Sequence, residues 1–142
     1  MYEKSYDELE FTDDFLFCYI LMDNEDLCIE LVEMITGRKI KEIVKEEKQR
    51  SVSLTYDGKG VRFDVYFEDE NSVVYDIEMQ TTAALNLPKR IRYYQGMIDL
   101  NILSRGADYK SLKESYIIYI CTFDAFQKGR QRYDFFPRSL VA

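Results

Sequence analysis

Residues 61–80 read VRFDVYFEDENSVVYDIEMQ, and the alternation of apolar and polar side chains along this stretch decides the fold. Every odd position from Val61 to Phe67 is apolar, and the same holds from Val73 to Met79. Alternation with a period of two is typical of a β-strand that turns one face to the core. The intervening residues 68–72 are polar and too few for more than a turn. The stretch therefore predicts an antiparallel β-hairpin.

The even positions of this hairpin place three carboxylates on one side of the predicted sheet. Asp64 on the first strand should lie opposite, or diagonal to, Asp76 and Glu78 on the second, at Cβ separations of roughly 5 Å for directly opposed residues. Like charges this close repel each other, so the cluster predicts either a shared proton or a bound cation. A cluster of oxygen ligands suits a hard divalent ion such as Mg²⁺ or Mn²⁺. The alternative is an ordinary solvated acidic face, on which Arg62 neutralises one of the acids.

The composition excludes several classes of enzyme and metal site. The 142 residues include no histidine, which rules out Ser-His-Asp and Cys-His catalysis and removes the commonest zinc ligand. Cys18, Cys28 and Cys121 lack a Cys-x-x-Cys spacing, and we interpret them as small buried hydrophobes. The net charge of −7 argues against a general nucleic-acid-binding protein unless basic residues gather on one face. With neither a membrane-spanning apolar segment nor a secretory signal pattern, the expected location is the cytoplasm.

A basic segment follows the hairpin at the start of a predicted helix. Pro88 suits the first helical position, and the apolar stripe behind it predicts a helix that runs to about Ser104. Lys89, Arg90 and Arg92 lie in its first turn, where the helix dipole disfavours cations. Cations placed against this local preference indicate an anionic partner such as a backbone phosphate, and a solvated basic patch is the alternative.

Helices and a charged connector are expected before the hairpin. The apolar spacing predicts helices over 12–22 and about 25–36, and Gly37 is a natural stop for the second. Residues 38–50 are highly charged, and we interpret them as an exposed connector with a short strand around 40–44.

Two further strands are expected outside the hairpin. Residues 51–56 alternate and predict a strand that joins the hairpin in a meander. The continuous apolar run at 116–121 is typical of a strand covered on both faces. Because a helix precedes that run, a right-handed parallel crossover should connect it to the hairpin.

Taken together, these segments resemble the PD-(D/E)XK nuclease family transposases, also called recombination-promoting nucleases. The similarity covers nearly the whole chain and rests on five motifs in order: TDDFLF at 12–17, VRFDV at 61–65, YDIEMQ at 75–80, RIRYY at 90–94, and CTFDAF at 121–126 followed by Gly129. The resemblance implies an α/β fold with a restriction-endonuclease-like core, a four-stranded mixed β-sheet flanked by α-helices. Residues 1–142 would form one such domain, without the longer C-terminal region that family members often carry.

The resemblance also implies metal-dependent hydrolysis of DNA phosphodiester bonds, in transposition or recombination. Asp64 and Glu78 match the superfamily's two metal-binding acids, and Asp14 is a candidate further ligand for Mg²⁺ or Mn²⁺, in competition with Asp13. Gln80 falls where many superfamily members have the catalytic lysine, so the implied catalytic set is Asp64, Glu78 and Gln80. Contacts with DNA are expected from Arg62, Lys89, Arg90, Arg92 and Tyr93.

Two other functions stay open. Gln80 can neither carry positive charge nor act as a base, and together with the acidic composition this favours an inactive relative that serves as a DNA-binding or protein-interaction module. A different class is an interaction module whose acidic hairpin face docks a basic protein. The sequence does not fix the DNA site or the oligomeric state, although cutting both strands needs two active sites, which a homodimer would supply.

Overall fold

The computed structural model of the chain describes residues 5–48, 51–52 and 59–136. Three helices, six strands and two single 3₁₀ turns (Tyr6–Glu8 and Tyr109–Ser111) make up its regular structure within those ranges. In chain order the helices and strands are α1 (Asp14–Asp23), α2 (Glu25–Thr36), β1 (Ile43–Lys48), β2 (Ser51–Val52), β3 (Val61–Arg62), β4 (Val65–Asp69), β5 (Val74–Gln80), α3 (Leu87–Ile102) and β6 (Ser115–Cys121).

Four of these strands form one mixed sheet in the order β1-β4-β5-β6. The pairs β1–β4 and β4–β5 are antiparallel, and the second pair is the predicted hairpin. Strands β5 and β6 run parallel, and α3 lies in the connection between them, as the sequence predicts. The chain therefore has the α/β fold of a four-stranded mixed sheet with flanking helices, which is consistent with a restriction-endonuclease-like core.

Helices cover both faces of the sheet. On one face, Phe17 and Leu21 of α1 and Val32 of α2 join a buried cluster with alternate residues of β4 and β5, among them Phe67 and Ile77. On the other face, Tyr94, Met97 and Ile98 of α3 join a second buried cluster with Val61, Phe63, Tyr66 and Val74. Because both faces are buried, any charged group on them must be paired or must lose its charge.

The three predicted helices are present with small shifts at their ends. Helix α2 begins at Glu25 and ends at Thr36, and Gly37 adopts the left-handed conformation (φ 74°) with its amide donating to the Glu33 carbonyl. That conformation favours glycine, which explains the stop. Cys18 and Cys28 are buried as expected, whereas Cys121 is only partly buried. None of the helices in the described ranges combines the length and apolar character that crossing a membrane requires.

The predicted strand at 61–67 is not continuous, which corrects the sequence interpretation. It divides into β3 and β4, and Phe63 and Asp64 lie between them. Val61 and Phe63 pack on the α3 side, whereas Val65 belongs to the cluster on the α1 and α2 side, so the odd positions do not share one face. The physical reason is the change of partner, because β3 pairs with β2 in a separate two-stranded sheet while β4 belongs to the main sheet.

The fourth strand of the main sheet is also not the one expected. It is β1, residues 43–48, in the segment interpreted mainly as an exposed connector. A strand rich in Lys and Glu suits the edge of a sheet, where charge discourages pairing with other chains. Of the strand predicted at 51–56, only Ser51 and Val52 are described, as β2, and residues 53–56 lie outside the described ranges.

Candidate active site

Asp64 and Glu78 lie side by side at the end of the β4–β5 hairpin, on the α3 side of the sheet. The register pairs Tyr66 with Asp76, so two residues further along Asp64 reaches the level of Glu78. The backbone amide of Asp64 donates to Glu78 Oε1 at 3.0 Å, and the amide of Met79 donates to Asp64 Oδ2 at 3.4 Å. Both side chains are buried, with exposed fractions of 6% for Asp64 and 2% for Glu78. Main-chain contacts thus hold the two acids next to each other.

Asp76 is the deepest of the three acids, and its side chain is completely buried. In its ionised form neither oxygen finds a hydrogen-bond donor among the described residues. Burial, followed by the charges on Glu78 and Asp64, raises the pKa of Asp76 well above its ordinary value. Once protonated, Asp76 can donate a hydrogen bond to Glu78, which explains why the two groups interact despite their like character. Burial thus favours the protonated form of Asp76.

Glu78 combines burial with a nearby charge of the same sign. Burial and the charge of Asp64 raise the pKa of Glu78 from 4.5 to about 7, although the amide of Asp64, the hydrogen bond with Asp76 and the charge of Arg90 pull it in the opposite direction. Near neutral pH this carboxyl group is therefore only partly ionised, because its charged form is not fully compensated by its surroundings. A carboxyl group in this condition favours any cation that can approach it.

Arg90 of α3 brings its guanidinium group next to the acidic cluster. Its Nη1 donates to Gln80 Oε1 at 2.9 Å, and its Nη2 donates to the Tyr94 hydroxyl at 3.0 Å. Nη2 also lies 3.5 Å from Glu78 Oε2. The guanidinium carbon is 5.1 Å from the ring centre of Tyr94 and 5.4 Å from that of Tyr119. These contacts fix the position of the charge at the site.

The other predicted DNA-contacting residues have different surroundings. Arg62 is exposed overall and lines the same cleft as the acids. Lys89 and Arg92 are exposed on the first turns of α3. The hydroxyl of Tyr93 donates to the carbonyl of Lys59 at 2.5 Å, so this side chain ties α3 to the segment before β3. A contact between any of them and DNA stays a prediction.

Asp14 begins α1, and its side chain lies outside the described part of the structure, so its role as a metal ligand stays a prediction. Its competitor Asp13 accepts a hydrogen bond from the Glu10 amide at 2.8 Å. Within the described ranges, no three Asp, Glu, Cys or His side chains converge as a ready set of metal ligands. An ion at Asp64 and Glu78 would therefore complete its coordination with water or main-chain oxygens, as Mg²⁺ commonly does.

The residues present nevertheless fit a divalent ion. The cleft above the acids has a volume of about 310 Å³, and its lining is formed by polar groups, including Arg62, Asp64, Glu78, Gln80 and Arg90. Its volume is about ten times the ~30 Å³ of one water molecule, so an ion with its water shell has room. Two adjacent buried carboxyl groups with only oxygen donors are the chemistry that Mg²⁺ and Mn²⁺ prefer.

Sequence reasoning missed two aromatic residues of the site. Tyr94 and Tyr119 hold Arg90, and the hydroxyl of Tyr119 is buried without a hydrogen-bond partner among the described residues. The four-residue spacing of Arg90 and Tyr94 places both on one face of a helix, and this spacing could have predicted their contact. Tyr119 lies inside the apolar run of β6, where it looks like any core residue.

Comparison with known proteins places this geometry in a family. A family model described as PD-(D/E)XK nuclease family transposase matches residues 11–135, which contain the whole sheet, α3 and the acidic cluster. Neither the curated proteins nor the solved structures include a match. The matched range spans most of the 142 residues. The chain belongs to the PD-(D/E)XK nuclease family transposases.

Proposed function

We propose that this chain is a metal-dependent endonuclease that hydrolyses phosphodiester bonds of DNA in transposition or recombination. One observation carries the proposal: Asp64 and Glu78 are buried side by side at a polar cleft, with their carboxyl groups held by main-chain amides. A buried pair of like charges costs stability unless something is gained from it, and binding a cation is such a gain. The family is a nuclease family, which supports the same function.

Asp64 and Glu78 would hold Mg²⁺ or Mn²⁺. When bound, the ion would lower the pKa of a coordinated water and offset the charge that develops on the phosphate. Asp76 would support the site from below, because as a neutral acid it can donate a hydrogen bond to Glu78 and orient it. Asp14 remains a proposed further ligand.

The remaining residues would bind and orient the DNA. Arg62 at the cleft, together with Lys89 and Arg92 on the exposed start of α3, would contact backbone phosphates. Gln80 is fixed at both ends of its amide, because its oxygen accepts from Arg90 and its nitrogen donates to the Thr82 carbonyl at 2.6 Å. A fixed amide can orient a water molecule or a phosphate oxygen without taking up a proton.

Nicking of supercoiled plasmid with Mg²⁺ or Mn²⁺ tests the proposal, with Asp64→Asn and Glu78→Gln as near-isosteric variants. We expect wild-type nicking that requires the metal and that both variants lose by roughly 10²-fold or more, because each loses a metal-binding charge. Asp69→Asn is the matched control, since Asp69 is a buried acid of the same hairpin whose oxygens accept from Asn71, Val73 and Tyr75. Equal nicking by wild type and both site variants would refute the assignment.

An inactive relative that binds DNA or protein is the second candidate. The neutral Gln80 at the position of the superfamily lysine favours it. Divalent-metal binding with no nicking by any preparation would identify this function. The cytoplasmic location and a homodimer stay predictions, and sedimentation with and without a DNA duplex would test the second of these.

A further inference from the structure

The candidate site receives a positive charge from α3, next to a position where β5 has a neutral side chain. On β5, the residue after Glu78 and Met79 is Gln80, whose amide is neutral at every pH. Arg90 lies ten residues later on α3, yet its guanidinium group donates to Gln80 Oε1 at 2.9 Å and approaches Glu78 Oε2 to 3.5 Å. The positive charge beside Gln80 and Glu78 therefore comes from α3, although β5 itself provides none at this position.

The guanidinium group is held from several directions. Tyr94 accepts its second hydrogen bond, and the rings of Tyr94 and Tyr119 lie 5.1 and 5.4 Å from its central carbon. Aromatic rings attract a cation through their faces, and this attraction strengthens where water is partly excluded. A surface arginine that met DNA only through its charge would need none of these contacts. The surroundings of Arg90 indicate a fixed position.

We propose that Arg90 is a positioning residue that supplies from α3 the positive charge that Gln80 cannot carry, and that also sets the orientation of the Gln80 amide. The inference rests on the proposed nuclease function and deepens it. By donating to the Gln80 oxygen, Arg90 fixes the orientation of an amide whose nitrogen donates to the Thr82 carbonyl. Through its charge, Arg90 offsets Glu78 and lines the cleft above the two acids.

This role has a consequence that a structural role lacks. Because Arg90 and a metal ion are both cations close to Glu78, they repel each other, and removing the charge of Arg90 should strengthen metal binding. The same change should weaken catalysis, since a charge that stabilises the transition state is lost. A residue that only supports the fold would weaken both when it is removed.

The experiment compares Arg90→Gln, Arg90→Lys and the double variant Arg90→Gln/Gln80→Lys with wild type. Mn²⁺ affinity is measured by calorimetry, and plasmid nicking gives kcat and KM separately. For Arg90→Gln we expect Mn²⁺ binding tighter by roughly fivefold, from one removed like charge in partly solvated surroundings, and kcat lower by roughly 10²-fold with KM little changed. Arg90→Lys should keep wild-type Mn²⁺ affinity because it keeps the charge, but should lose part of kcat because it lacks the planar fork.

The double variant tests whether a cation on β5 can replace the cation on α3. Lysine at position 80 places a cation directly beside Glu78, so Mn²⁺ affinity should return towards wild type and part of kcat should be recovered. Arg38→Gln is the matched control, because Arg38 also stacks on a tyrosine of β6, at 5.5 Å from the Tyr116 ring centre, and pairs with Glu114 at 2.9 Å. It should leave Mn²⁺ affinity and kcat at their wild-type values.

Three results would overturn the inference. Weaker Mn²⁺ binding in Arg90→Gln without recovery in the double variant would identify Arg90 as a structural support. A higher KM with unchanged kcat would make Arg90 a simple DNA contact. Identical Mn²⁺ affinities in wild type, Arg90→Gln and the double variant would mean that its charge does not act on the site. If wild type itself does not nick DNA, the proposed function fails, and the Mn²⁺ affinities still decide whether Arg90 places its charge at the site.

Discussion

The amide of Asp64 donates to the carboxyl group of Glu78 across 3.0 Å, and this contact joins the break between β3 and β4 to the centre of the sheet. The hydrogen bond favours the ionised form of Glu78, whereas burial and the charge of Asp64 oppose ionisation more strongly. The result is a buried acid that is held in place at a cost in stability.

Glu78→Gln should stabilise the metal-free protein at about pH 8, because it removes a buried charge and keeps the acceptor for the Asp64 amide. We expect a melting temperature several degrees higher in EDTA, since about 1 kcal/mol shifts the midpoint of a domain this size by roughly 2–8 °C. The wild type should gain stability from added Mg²⁺, and the variant should not. A Mg²⁺-induced shift of equal size in both proteins would contradict the assignment of Glu78 as a ligand.

The stability of the metal-free protein should fall as pH rises from about 4.5 to about 7. The folded-state pKa of Glu78 is raised from 4.5 to about 7, so the folded state holds the proton longer than the unfolded state does. The stabilisation from the neutral acid is thus complete below the unfolded pKa and is lost through the folded one, a change on the order of 3 kcal/mol for Glu78. Asp76, whose pKa is also raised, adds a loss of the same sign.

Urea unfolding in EDTA at several pH values measures this dependence. Asp76→Asn and Glu78→Gln each remove one titrating group, so the difference in unfolding free energy between wild type and variant isolates its contribution. The advantage of each variant over wild type should grow with pH. An advantage that stays constant across this range would show that the two acids do not titrate as described.

Asp69→Asn should lower stability without changing metal binding. The carboxylate of Asp69 accepts from the amides of Asn71 and Val73, each at 2.9 Å, and from the Tyr75 hydroxyl at 3.1 Å, so it closes the hairpin turn. Losing this charge should cost about 1.5–3 kcal/mol, the range for hydrogen bonds to a charged group. Thermal unfolding measures the loss, and calorimetry with Mn²⁺ should give the wild-type affinity.

Lys89→Gln and Arg92→Gln should weaken DNA binding equally for all sequences. Both side chains are exposed at the start of α3, and each phosphate contact that is lost should reduce the slope of log K against log salt by roughly one. Fluorescence anisotropy with a labelled duplex at several salt concentrations measures the slope. Arg105→Gln, an exposed arginine after α3, is the control and should leave the slope unchanged. Variants with the wild-type slope would remove this face from the proposed interface.

Local patterns predicted the hairpin, the helices and the meeting of Asp64 with Glu78, because strand alternation and turn length fix which residues come together. They failed where the outcome depends on distant partners. The charged segment at 43–48 becomes a strand because β4 offers a free edge, which its own sequence does not record. The break at Phe63 depends in the same way on pairing between β3 and β2.

The basic helix start shows the same limit within the site. Lys89, Arg90 and Arg92 were equivalent in sequence as expected DNA contacts. Only the packing of α3 against β5 and β6 brings one of them to Gln80 and between two tyrosine rings. Tertiary packing thus selects Arg90 among the three basic residues. The sequence shows only its four-residue spacing to Tyr94.

The hydrogen bond from Tyr93 to the Lys59 carbonyl connects α3 to the segment before β3, which forms a two-stranded ribbon with β2. The ribbon departs from the main sheet immediately before Asp64, and its Arg62 forms one wall of the cleft. Because this hydrogen bond ties α3 to the ribbon, losing the Tyr93 hydroxyl would leave Arg62 less firmly positioned beside the acids.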